Sequence, residues 1–127
     1  MNLYRYLNMN PEFHDEPDCT IRAICLLLNK DWETIYWGVC TEGAKQKRMP
    51  VTDSVWGEYL IKNNCKRYRV PDYCPHCYTV ADFAFEHPVG CFLVKVNEHV
   101  VAVVDGYYYD TWDSGNEIVL FYWRKEK

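Results

Sequence analysis

The chain has little of what marks a membrane, exported or nucleic-acid-binding protein. No run in its 127 residues approaches the roughly 18 consecutive apolar positions needed to span a bilayer. The opening residues, Met1-Asn2-Leu3-Tyr4-Arg5-Tyr6, carry no basic leader followed by an apolar stretch. No secretory signal is read there, and a cytoplasmic location is expected. Clustered positive charge is also scarce. The formal net charge is −4, and the one basic stretch singled out is Lys45-Gln46-Lys47-Arg48. Phosphate-neutralising surfaces need more than this, so the run is read as solvated surface and neither a nucleic-acid nor a membrane partner is expected. Repeats, low-complexity tracts and linkers are missing too, which points to one domain over residues 1–127.

What the chain does have is material for a core. Hydrophobic residues make up 49% and aromatics 17%, which excludes wholesale disorder. It holds seven cysteines, an odd number with no secretory leader, so reduced thiols are expected rather than a disulfide framework.

The first 17 residues show little periodicity and read as irregular. Asp18 reads as the N-cap of a helix to about Leu28, with Ile21, Ile24 and Leu28 on one face. Asn29-Lys30 breaks it. Asp31 caps a second helix, in which Trp32, Ile35, Tyr36 and Val39 recur at helical spacing, before a loop around Gly43 to Pro50. Thr52 or Asp53 opens a third helix to about Asn63. Lys66 to Val70 alternates as a short strand, and Thr79 caps a brief helix ending before Pro88. From there the chain reads as strands: Cys91–Val96, His99–Val104, Tyr107–Thr111 and Glu117–Trp123. Asp105-Gly106 between two β-rich runs is a strong hairpin signal. Helices followed by strands predict an α+β fold, with N-terminal helices packed on a C-terminal antiparallel sheet.

Two positions in this frame carry chemistry. Cys19 follows the cap Asp18 and so falls in the first turn of an apolar helix. Unsatisfied N–H groups and the positive end of the helix dipole favour an anion there and lower a thiol's pKa. His99 opens an otherwise aliphatic strand. With Asp105 and Gly106 as the two turn residues, His99 lies opposite Trp112 and Asp110 lies opposite Val101. Asp110 then shares the face of His99 on its diagonal, roughly 7–8 Å away at Cα, within reach of a carboxylate–imidazole hydrogen bond. Asp113 would share that face only if the turn were one residue longer or shorter, so it ranks second. A carboxylate on one ring nitrogen fixes the tautomer and leaves the other nitrogen for the thiol.

Asp18-Cys19-Thr20-Ile21-Arg22-Ala23-Ile24 has Asp-Cys followed four and five places later by Ala and an aliphatic residue. The run from His99 through Val104, Asp105-Gly106, Tyr107-Tyr108-Tyr109 and Asp110 to Asp113 supplies a histidine hairpin. Together, in this order, they resemble the papain-like superfamily of cysteine peptidases. The nearest likeness is to the bacteriocin-processing peptidase domains of peptide exporters and to uncharacterised phage and bacterial relatives. The resemblance implies a papain-like fold, a phage or bacterial origin, and Cys19, His99 and Asp110 as a catalytic triad. It further implies a peptide or protein substrate and a cysteine peptidase or amidase needing no cofactor. If the protein is phage-encoded, the expected location is the host cytoplasm. Members commonly place a glutamine about six residues before the cysteine to hold the oxyanion, whereas this sequence reads Glu12-Phe13-His14. Asn10, Asn8 or His14 are the candidates for that role, with the Cys19 N–H as the other donor. Two further function classes stay open: a non-catalytic binding or inhibitory module on the same fold, and an acyltransferase or transglutaminase using the same triad.

Cys74-Pro75-His76-Cys77 offers a redox pair or half a zinc site. The redox reading lacks a long following helix, and zinc would need partners from Cys65, His76 or His87. Loop cysteines with no joint role are the simpler reading, and no metal is assigned. Tyr107, Tyr108, Tyr109, Trp112, Tyr122 and Trp123 are read as sheet packing rather than a base-stacking surface.

Overall fold

Helix starts and tight turns set the order of the elements in the computed structural model, which describes residues 2–70 and 77–126. The first strand, β1 (Tyr4–Tyr6), is followed by three helices: α1 (Cys19–Leu28), α2 (Trp32–Gln46) and α3 (Asp53–Lys62). Then come β2 (Cys65–Arg69) and a short helix α4 (Val80–Glu86). The protein finishes in strands β3 (Cys91–Val96), β4 (His99–Val104), β5 (Tyr107–Asp110) and β6 (Phe121–Lys125). The fold is α+β. Its six strands form one sheet in the order β1-β5-β4-β3-β6-β2.

Local chemistry explains most boundaries. Asp31 caps α2 by accepting the Thr34 N–H at 2.8 Å. Thr79 and Asp82 form a reciprocal capping box at the start of α4. Helix α1 ends where Asn29 turns left-handed, and α2 ends likewise at Lys47. Asp105 (φ 48°) and Gly106 (φ 86°) make the two-residue turn between β4 and β5, whose positive φ values glycine tolerates without strain. That turn sets Val104 opposite Tyr107 and Ala102 opposite Tyr109, the register expected from the sequence.

The central strands are buried on both faces, so they read as nearly continuous apolar runs. Ile24, Ile35, Val39, Val55, Trp56 and Leu60 of the three helices pack with Leu93, Val100, Ala102 and Trp123. Val80, Phe83 and Ala84 of α4 pack the other face with Phe92, Val94, Val96, Val101 and Val103.

Several expectations are corrected. The sheet is mixed, because β1 lies parallel to β5, pairing Tyr4 with Tyr108 and Tyr6 with Asp110. The segment expected to be irregular therefore holds a strand, whose partner lies near the opposite end of the sequence. The last strand begins at Phe121, later than Glu117. Residues before it are drawn to the start of α4, with Val80 N–H on Glu117 O and Val119 N–H on Tyr78 O. Helix α2 runs through Gly43 to Gln46, where a loop was expected, and closes when Arg48 N–H meets Gly43 O at 3.0 Å. No described helix is long and apolar enough to cross a membrane.

Leu93 is fully buried at the centre of the sheet, and Thr79 satisfies one helix end. Leu93→Ala is expected to cost about 2–5 kcal/mol, and Thr79→Ala about 1 kcal/mol. Urea denaturation of the two variants checks that ordering.

Candidate active site

The open end of the β4–β5 hairpin presents His99, the first residue of β4, beside Asp110, the last of β5. Cys19, the first residue of α1, meets them there. His99 Nε2 lies 2.5 Å from Asp110 Oδ2. This contact takes Nε2 and leaves the other ring nitrogen free of the carboxylate, with the Cys19 thiol near enough to interact with the imidazole. The Trp112 ring lies 4.8 Å from the His99 ring and, half exposed itself, screens the imidazole from water.

Asp110 is only 2% exposed and is held by four donors. Besides His99, these are Ser114 Oγ at 2.7 Å, the Thr111 N–H at 2.8 Å and Arg22 Nη1 at 3.2 Å. Arg22 sits one turn after Cys19 on α1 and is itself buried. Its Nε donates to Asp18 Oδ1 at 2.8 Å, and the other Asp18 oxygen accepts Trp32 Nε1 at 2.9 Å. Asp18 was expected to cap α1 with its carboxylate. Both its oxygens are taken, so it occupies the N-cap position without bonding the helix N–H groups through its side chain. The N-terminal N–H groups of α1 thus keep their pull on an anion at Cys19.

Opposing effects set the ionisation of the three groups. Burial pushes the Cys19 thiol up, but hydrogen bonds from His99, the Val100 N–H and Thr20, with the His99 charge, hold it below its ordinary value. Burial pulls His99 down, yet its bonds to Asp110 and Cys19 and their charges raise it to about 9. Burial likewise pushes Asp110 up and is outweighed by the bond and charge of His99, with Ser114 and Thr111 adding to the effect. All three shifts run in the direction that favours charge: thiolate over thiol, imidazolium over imidazole and carboxylate over acid. Three other cysteines move the opposite way. Burial raises Cys25 to about 12, and Cys65 and Cys91 to about 11 each.

Cys19, His99, Thr20, Trp56, Lys95, Val100 and Trp112 line a cleft of about 490 Å³. The expected oxyanion residues lie elsewhere. Asn10 and His14 border a neighbouring cavity of about 570 Å³ that does not include Cys19. The Asn10 side-chain oxygen accepts the Glu12 and His14 N–H groups and shapes a local turn. Asn8 does similar work, donating to His14 O. Asp113 accepts from the Tyr108 hydroxyl at 2.5 Å and the Gly115 N–H at 3.0 Å, so Asp110 alone of the two reaches His99. Cys74 and His76 lie outside the described residues. Cys65 is buried, and His87 stacks on Phe83 with Nδ1 on the Phe83 carbonyl. Among the described residues no three His, Cys, Asp or Glu side chains form a metal cluster.

Sequence reasoning missed Arg22 and Ser114. Arg22 had a visible signal: it is the only charged residue of α1, four places after an aspartate, amid Ile21, Ala23 and Ile24. No family model, curated protein or solved structure matches this sequence, so the chemistry of the site rests on its own geometry.

Removing the guanidinium would leave Asp18 buried with only the Trp32 N–H as a side-chain donor, and Asp110 with His99 as its one remaining cation. Arg22→Met is expected to cost about 3–5 kcal/mol in urea denaturation at neutral pH. Part of that difference should vanish as pH falls through the lowered Asp110 range, where its protonated carboxyl no longer needs the cation.

Proposed function

We propose that the protein is a cysteine-dependent hydrolase of the papain-like kind, a peptidase or amidase. Cys19 is the nucleophile, His99 the acid–base group and Asp110 the residue that orients the ring. The observation that carries this reading is the Asp110–His99 hydrogen bond on the wall of a cleft that the Cys19 thiol, at a helix N-terminus, also lines.

The Cys19 thiolate attacks an amide carbonyl carbon, forming a C–S bond and placing charge on the oxygen. The N–H groups at the start of α1, that of Cys19 first, are the donors available to that oxyanion. As the C–N bond breaks, the His99 imidazolium gives its proton to the departing amine. His99 then takes a proton from water, which attacks the thioester and releases the acid and Cys19. Asp110 stays ionised throughout and stabilises the imidazolium.

Iodoacetamide labelling at about pH 6, read by peptide mass spectrometry, tests the nucleophile. Cys19 should label fastest of the seven cysteines, and His99→Ala or Asp110→Asn should slow it, whereas Asp113→Asn should not. A Cys19 no faster than the rest overturns the reading in favour of a non-catalytic module. Turnover has its own signature in pH. It should rise as Cys19 loses its proton, below the usual thiol range, and fall as His99 deprotonates near 9. A pH–rate profile on a peptide amide checks both limbs.

A further inference from the structure

Most cations around the cleft already have anions. Arg22 is paired with Asp18 and Asp110, and His99 with Asp110 and Cys19. Lys95 is the exception. It is only 9% exposed, yet among the described residues no carboxylate comes within ion-pair distance of it. Its Nζ donates to the Val96 carbonyl at 2.6 Å, which satisfies one of three N–H groups and none of the charge. A cation on a largely buried side chain, with no anion beside it, gains from one supplied through the cleft.

The position of Lys95 says where that anion would sit. On β3 it lies directly across from Val100, so the two side chains share a face. Val100 and Lys95 line the same cleft as Cys19 and His99. Trp56 and Val51 border the cleft as well, giving apolar walls beside the ammonium. The cleft thus joins a nucleophile, an apolar wall and a buried positive charge.

We propose that Lys95 is a specificity-determining residue, and that the cleft takes substrates presenting a carboxylate to it, from an acidic side chain or from the free C-terminus of a peptide. This rests on the reading of Cys19 as the nucleophile. Asp15, Glu16, Asp53 and Glu98 also line the cleft, all of them exposed. Water and salt screen these rim charges, whereas the buried ammonium acts through a medium of lower dielectric, so the net preference is for the anion.

Two pairs of bromoacetyl peptides test it, each reporting the rate at which Cys19 displaces bromide. One pair carries Glu or Gln as side chain with an amidated end. The other carries an apolar side chain and ends in a free carboxylate or in its amide. The carboxylate member should react about tenfold faster than its amide in at least one pair, as a charge-assisted contact provides. The pair showing the advantage identifies the source of the carboxylate. Because the readout is a ratio within one protein, Lys95→Met should bring it to about one even if the absolute rates change, while Lys95→Arg retains it. If Lys95→Met does not fold, the ratios of the native protein and of Lys95→Gln decide the matter. Equal rates within both pairs, or an advantage that survives Lys95→Met, overturn the role of Lys95. Fast iodoacetamide labelling of Cys19 would in that case leave the hydrolase reading standing. A Cys19 inert to iodoacetamide and to all four peptides removes both.

Discussion

A buried guanidinium between two carboxylates ties the helical layer to the sheet. Arg22 touches Asp18 beside Cys19 and Asp110 at the end of β5, joining the start of α1 to the edge of the hairpin. Each of the three charges would be costly alone in the interior, and together they compensate one another. The planar fork of arginine can address two partners at once, which a lysine at the same position could not do with the same geometry. That contact helps to fix α1 against the β4–β5 hairpin, and so to set thiol against imidazole.

The same contact shapes reactivity indirectly. By occupying Asp18, Arg22 removes the carboxylate that would otherwise cap α1 and compete with a thiolate for the helix terminus. By holding Asp110 together with Ser114, it fixes the acid in place. The imidazole then meets a preorganised acceptor that need not reorient as charge develops. Burial alone, which raises Cys25, Cys65 and Cys91, would have made Cys19 another inert thiol.

Features governed by neighbouring residues were legible in the sequence. The Asp105-Gly106 turn has a narrow stereochemical repertoire, so it fixed the hairpin register and with it the pairing of His99 with Asp110. Helix starts at Asp31 and Thr79 were readable for the same reason. What depends on distant partners was not. Three residues of β1 have no periodicity to detect, and their partner strand lies far along the sequence. Lys95 looks like a solvated charge, because a sequence does not show that a strand position will be covered, and the apolar neighbours of Arg22 do not show that its second partner is Asp110. Asn10 and His14 were placed by their sequence separation from Cys19, and a loop that folds on its own hydrogen bonds defeats that measure.

Asp110 is gripped by its backbone as well as by its carboxylate. Its carbonyl accepts the Leu7 N–H at 3.0 Å and the Tyr4 hydroxyl at 3.1 Å, so β1 is fastened to the residue that orients the imidazole. The strand is short, and of its three residues Tyr4 packs against the core while Arg5 and Tyr6 are exposed. A proteolytic nick between Leu7 and Asp18 would therefore loosen the acid while leaving both hydrophobic layers intact. The first strand is thus a buttress for the Asp110–His99 pair, and damage there would disturb that pair in a molecule that still looks folded.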